Sequence, residues 1–245
     1  MTSEGMLVVV LAVLFLAALV RSTFGFGEAL VAVPLLAFVT SVEMAAPIAV
    51  LLSITVAAVV ILQDWRHIHV RSAWWLVIPT FFGIPLGIWL LTAVDEQIVK
   101  ALLALVIVGS SLYCLLSRRR FALADDRWAW LFGIGAGVLG GAYGMNAPPL
   151  VIYGSLRGWT PERFRATRQG YFLPASLVGM AGYWWKGLWT PEVTRYYLLS
   201  LPLVAIAIVL GRLINRRLAA HTFVLYVHLG LIAVGTALLV HALRA

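Results

Sequence analysis

The chain has 245 residues, of which 62% are hydrophobic and only 11% are charged, and its mean hydropathy is +0.98. A soluble domain carries about 25% charged residues, so a single water-soluble core is excluded and the chain reads as an all-α integral membrane protein. The formal net charge of +8 does not point to nucleic acid, because no basic stripe with interleaved aromatics lies outside an apolar run; arginine-rich cytoplasmic loops account for it.

The N-terminal stretch MTSEGM lacks the positive segment of a cleaved signal peptide, so the first apolar run is read as part of the fold. Cut at its charges, the chain yields runs at 5–20, 29–42, 44–63, 72–94, 101–117, 128–156, 169–185, 196–211 and 218–243. A helix needs about 20 residues to cross the hydrocarbon. Runs 44–63, 72–94, 101–117, 169–185, 196–211 and 218–243 each predict one span. Runs 5–20 and 29–42 are short and are joined by STFGFG, and run 128–156 contains its own break, GGAYGMNAPP at 140–149. Glycine and proline clusters stop helices. Residues 6–40 and 128–157 are therefore each expected to form a helical hairpin turning inside the membrane, where irregular backbone survives only in protein or beside a water-filled cavity.

Charge orients this layout. The segments near 64–71, 118–127, 157–168 and 212–217 hold most of the arginines, Arg66, Arg118, Arg157 and Arg217 among them. Excess Lys and Arg marks the cytoplasmic side, which puts both termini outside. The tryptophan pairs Trp74-Trp75 and Trp184-Trp185 fall at span ends, as an interfacial aromatic belt requires. Gly133, Gly137 and Gly141 recur every four residues, the spacing of close helix packing.

The two halves resemble each other. Phe24-Gly25-Phe26-Gly27 aligns with Tyr143-Gly144-Met145-Asn146, Trp65-Arg66 with Trp185-Lys186, Pro79 with Pro202, and Gly87 with Gly211. The offset drifts from 119 to 124. Residues 1–120 and 127–245 are thus expected to be two repeats, each a half-helix hairpin plus three transmembrane helices. An odd number of crossings per half inverts the second against the first. Inverted repeats with paired broken segments are the signature of secondary transporters, whose solute binds near the midplane between the breaks.

FGFGEALVAVPLL in the first half, and GGAYGMNAPPLVIYGSLRGW followed by FRATRQGYFLPAS in the second, resemble the two signatures of the sulfite exporter TauE/SafE family. The resemblance extends over nearly the whole chain in length, layout and motif order. It implies a multi-pass permease of the cell (inner) membrane that moves small anions, sulfite and organosulfonates among them. Glu28 stands where a further glycine is common, and Asn146-Ala147 where a glycine pair is common.

The candidate site follows from the breaks. Arg21 ends the first half-helix; its guanidinium can grip a sulfonate or carboxylate by two parallel hydrogen bonds, or form a salt bridge to Glu28 across the turn. Glu28 can exchange a coupling proton if neutral, or stay charged beside Arg21. Thr23, Gly25 and Gly27 are expected to expose backbone N–H groups to an anion, with Tyr143, Gly144 and Asn146 doing the same in the second half. Arg168 and Gln169 open the following span, and Ser53 lies in the matching span of the first half. No cofactor is predicted: GxSxG, HExxH, Walker and CxxC patterns are missing from the sequence. Cys114 is read as a small buried hydrophobe. His67 and His69 lack further ligands nearby, and His221, His228 and His241 are too widely spaced for one site. The partners expected are a small anion, the bilayer and a coupling proton, with oligomeric state open. An intramembrane enzyme or a membrane assembly factor is the alternative reading.

Overall fold

The structure is a computed structural model and describes residues 3–64, 70–116, 123, 127–159, 161–217 and 220–244. Among these the chain forms ten α-helices and no strand: α1 Ser3–Phe24, α2 Glu28–Leu36, α3 Val42–Asp64, α4 Val70–Ala93, α5 Glu96–Leu116, α6 Ala129–Tyr143, α7 Ala147–Leu156, α8 Pro161–Trp185, α9 Pro191–Arg217 and α10 Ala220–Arg244. Helix is what lipid demands of an apolar chain, since every backbone group must find its partner within the segment.

Six helices among the described residues are long and apolar enough to cross a bilayer, within α1, α3, α4, α5, α9 and α10. One of these corrects the sequence reading. α1 is not a half-helix ending near residue 20; it has 22 residues, about 33 Å at 1.5 Å per residue. Neither arginine nor threonine breaks a helix, and Arg21 suits the exposed carbonyls of a last turn, so α1 runs on until Gly25. α8 contains the expected run 169–185, but its opening turns carry Arg163, Arg165 and Arg168 and it is not one of the six. α2 and α7, with 9 and 10 residues, reach only about 14–15 Å.

The two breaks lie where glycine and proline placed them, at 25–27 between α1 and α2 and at 144–146 between α6 and α7. Gly25, Gly27 and Gly144 have φ of 79°, 100° and 67°, backbone that side chains rarely adopt.

Glycine also sets the helix packing. A Cβ on Gly83 or Gly87 of α4 would fall 2.2 Å from the Ile134 or 2.1 Å from the Val138 carbonyl oxygen of α6. From the other side, Gly133, Gly137 and Gly141 meet the Leu76, Thr80 and Ile84 carbonyls. The expected close packing of these three glycines is therefore present. Contacts advance in the same direction on both helices, so α4 and α6 run parallel. The last turn of α6 packs at Gly87, six residues before α4 ends at Ala93. Carried on in the same register, the second break at 144–146 falls level with the last turn of α4, up to about 5 Å inside its end.

Exchanging the first five helices for the last five maps the contacting pair α4–α6 onto α9–α1, α4–α8 onto α9–α3 and α1–α2 onto α6–α7, while α3–α8 and α5–α10 map onto themselves. All of these pairs touch. Gly211 of α9 packs on Leu19 and Ser22 of α1, which stand 119 positions before Val138 and Gly141, the neighbours of Gly87. Outward faces stay apolar: Phe82, Leu86 and Trp89 of α4 and Ile206, Val209 and Leu213 of α9 are exposed, as are Trp74, Trp75, Trp184 and Trp185. Such surface is stable only against lipid.

Candidate functional site at the two helix breaks

The first break is built around a buried ion pair. Arg21 of the last α1 turn bonds through Nη1 to Oε1 of Glu28, the first residue of α2, and both are 4% exposed. Of the two readings open at Glu28, the structure contains the paired one. The Arg21 guanidinium also stands over the Phe172 ring of α8, 4.8 Å from its centroid. The other ion pair among the described residues, Lys100–Glu96 at 3.1 Å, sits at the start of α5, with its glutamate about half exposed.

Backbone donors divide unequally between the breaks. At the first, the Gly25 N–H is used, donating to the Arg21 carbonyl at 2.5 Å. Thr23 lies inside α1, where its hydroxyl donates to the Leu19 carbonyl at 2.8 Å. Gly27 caps α2, and the first intrahelical bond runs from Val31 N–H to the Gly27 carbonyl. The amides of Glu28, Ala29 and Leu30 are left with no intrahelical acceptor. These donors, and not those of Thr23 and Gly25, are what the first break offers.

At the second break the expectation of an open amide fails at Gly144. Gly144 N–H donates to Gly140 at 2.8 Å and Met145 N–H to Leu139 at 3.1 Å, the paired bonds that close a helix over a left-handed glycine. α7 then begins Ala147-Pro148-Pro149, and the two prolines carry no N–H. Tyr143, far from presenting its amide, is fully buried and donates its hydroxyl to the Val99 carbonyl at 3.0 Å. Asn146 is buried at the α7 N-cap without a side-chain cap bond. It lies so close on α6 that a Cβ at Gly140 would come within 2.4 Å of its Oδ1.

α8 links the breaks. Phe172 sits under Arg21, and the neighbouring Tyr171 packs with Ala147 of α7 in one apolar cluster and meets the Thr80 hydroxyl of α4 at 2.7 Å. Phe26 of the first break packs into the cluster formed by Ala147, Leu150, Tyr153, Tyr171 and Phe172. Ser53 of α3 is buried and faces Ser176 of α8, with 3.4 Å between the hydroxyl oxygens. It marks the crossing of α3 and α8. Arg168 and Gln169 belong to the backbone of α8, but their side chains lie outside the described residues, as do His67 and His69.

Phe172, Tyr171 and Thr80 were not anticipated. The motif FRATRQGYFLPAS contains the aromatic pair Tyr171-Phe172, and no motif in the sequence marks Thr80. His228 was set aside on spacing along α10, yet it lines a cavity of about 20 Å³ with Phe26, Gly27 and Leu30 of the first break. Only packing between distant helices brings it there.

A many-spanned helical chain, with a buried ion pair and a helix N-terminus whose first amides have no intrahelical acceptor, has the build of a membrane transporter of small solutes. Residues 10–238 match the sulfite exporter TauE/SafE family, and the chain belongs to it. It is a multi-pass membrane protein of an anion-transporter family. Comparisons with curated proteins and with solved structures gave no match.

Proposed function

We propose that the protein is a secondary transporter that carries sulfite or an organosulfonate-type anion across the cell (inner) membrane by alternating access. The observation that carries the reading is the buried Arg21–Glu28 pair at the N-terminus of α2, whose first amides have no intrahelical acceptor. A sulfonate or sulfite oxygen presents to a guanidinium the acceptor geometry a carboxylate does. The solute shares Arg21 with Glu28, which keeps its ion pair, and takes the Glu28–Leu30 amides and the positive end of α2 as further donors. Each half, 1–120 and 127–245, moves as an inverted repeat about the α3–α8 crossing, with both termini outside. The helix-pair exchange and the Gly87/Gly211 correspondence support that division.

Purified protein in liposomes tests this. Uptake of labelled sulfite or sulfoacetate that is lost in Arg21→Ala and kept in Ser53→Ala is the expected result. The reading fails if neither sulfite, thiosulfate nor a sulfonate moves, or if Arg21→Ala transports as wild type does.

A further inference from the structure

The proposed site lacks a positive charge of its own. Arg21 is cancelled by Glu28, so a monoanion brought among these helices adds a net negative charge at depth. Buried charge without a counter-charge is costly enough that some group must supply one. His228 of α10 stands where that charge is needed. It is 7% exposed, and its Nδ1 has no hydrogen-bond partner among the described residues. It lines the cavity under Gly27 and Leu30, at the amide-rich start of α2. It also lines a second, adjoining cavity of about 10 Å³ with Ser110 and Cys114 of α5 and Ala147 and Pro148 of α7. A buried imidazole nitrogen without a partner calls for an explanation, and an intermittent ligand is one.

We propose that this cavity is the seat of the anion and that His228 binds a proton together with it. This rests on the permease reading. The imidazolium N–H donates to the anion from α10 while the Glu28, Ala29 and Leu30 amides donate from α2. The proton enters from the aqueous side with the anion and leaves with it on the other side, so a monoanion crosses as a neutral pair. Phe26, Leu30, Val227 and Leu231 line it with apolar surface, which suits a short apolar tail behind the oxyanion head once the cavity opens. A volume of about 20 Å³ admits no more than a water. The state described is therefore closed, and loading requires α10 to part from the first break.

The other titratable groups on the helices packed against α10 do not substitute for His228. Glu28 of α2 is held by Arg21, and the Lys100–Glu96 pair is at the far end of α5. Tyr113 and Cys114 of α5 are neutral acids, able to lose charge-balancing protons but not to gain them. On α10 itself, the His241 ring packs tilted against Phe38, 5.9 Å between centroids, and Arg244 follows it at the C-terminal end.

The test uses the full chain in detergent and methanesulfonate, whose charge is constant across the range in which histidine titrates. Titration calorimetry in buffers of different ionisation enthalpy counts protons taken up per anion bound. Wild type is expected to take up close to one proton near neutral pH and to lose about tenfold in affinity per pH unit as the free imidazole deprotonates. His228→Gln is expected to bind with no proton uptake and no pH slope, and His241→Gln to behave as wild type. The single cysteine gives a separate readout: methanesulfonate should protect Cys114 from a small methanethiosulfonate reagent. A pH-independent affinity in wild type overturns the proposal, as does an unchanged slope in His228→Gln. Should His228→Gln not fold, the wild-type slope and Cys114 protection decide alone: both present support the proposal, and either absent overturns it. Sulfite flux in liposomes without any such linkage removes the role of His228 and leaves the permease reading standing. Absence of flux and of binding removes both.

Discussion

Gly137→Ala is the sharpest test of how α4 and α6 are held. A methyl at position 137 would lie 2.3 Å from the Thr80 carbonyl oxygen and 2.8 Å from the Gly83 Cα, both backbone atoms that cannot turn aside. Ordinary contact begins near 3.4 Å, so the helices must part by about 1 Å. That separation stretches the bond from the Thr80 hydroxyl to the Gly133 carbonyl, now 2.9 Å, beyond hydrogen-bonding length. Overpacking costs about 1–3 kcal/mol, and one hydrogen bond adds about 1 kcal/mol. Gly135→Ala is the control on the same helix: its Cβ meets nothing within 4 Å. It should stabilise slightly, by up to about 1 kcal/mol, through helix propensity. Unfolding by SDS titration in mixed micelles, with a thermal melt beside it, should therefore separate the two variants by about 2–5 kcal/mol. Equal stability of the two would refute the close crossing.

Three further outcomes follow from the geometry. Glu28→Gln should cost about 3–5 kcal/mol in the same SDS titration, because it strands a buried guanidinium, whereas Arg21→Met with Glu28→Leu should recover much of that loss while abolishing transport. Gly144→Ala should destabilise by more than Gly158→Ala; both have left-handed φ, 67° and 61°, but only at 144 would the methyl meet a neighbour, 2.9 Å from Val50. In a Cys114→Ser background, Ser53→Cys with Ser176→Cys should oxidise to a disulfide seen by gel shift, since the two hydroxyls already face each other at 3.4 Å. If α3 and α8 move past one another during transport, the cross-linked protein should lose flux and regain it on reduction; undiminished flux would show that this crossing stays fixed.

Composition and local chemistry made the membrane class and both breaks legible, since glycine at 25, 27 and 144 acts on the backbone without help from the rest of the fold. The glycine stripe of α6 was legible for the same reason. The extent of α1 was not, because Arg21 reads as an end when its charge is considered alone and as an ordinary helical residue once Glu28 neutralises it. Donor count at the breaks was misjudged by counting residues and not bonds. A left-handed glycine turns the following amides back onto its own helix, and the Pro148-Pro149 pair, visible in the sequence, already removed two donors. Tyr171, Phe172 and His228 reach the breaks through contacts between helices far apart in the chain, which spacing along one helix does not reveal.

Tyr183 of α8 directs its hydroxyl at the Gly140 and Gly141 carbonyls, 3.1 and 2.9 Å away, just where α6 stops. The oxygen cluster at a severed helix end is the natural berth for a sodium ion. Here the phenol, the Gly144 amide and the Met145 amide already occupy it. A sodium-driven cycle would first have to pull Tyr183 out of the second break, whereas a proton-driven one can leave that end of the molecule undisturbed.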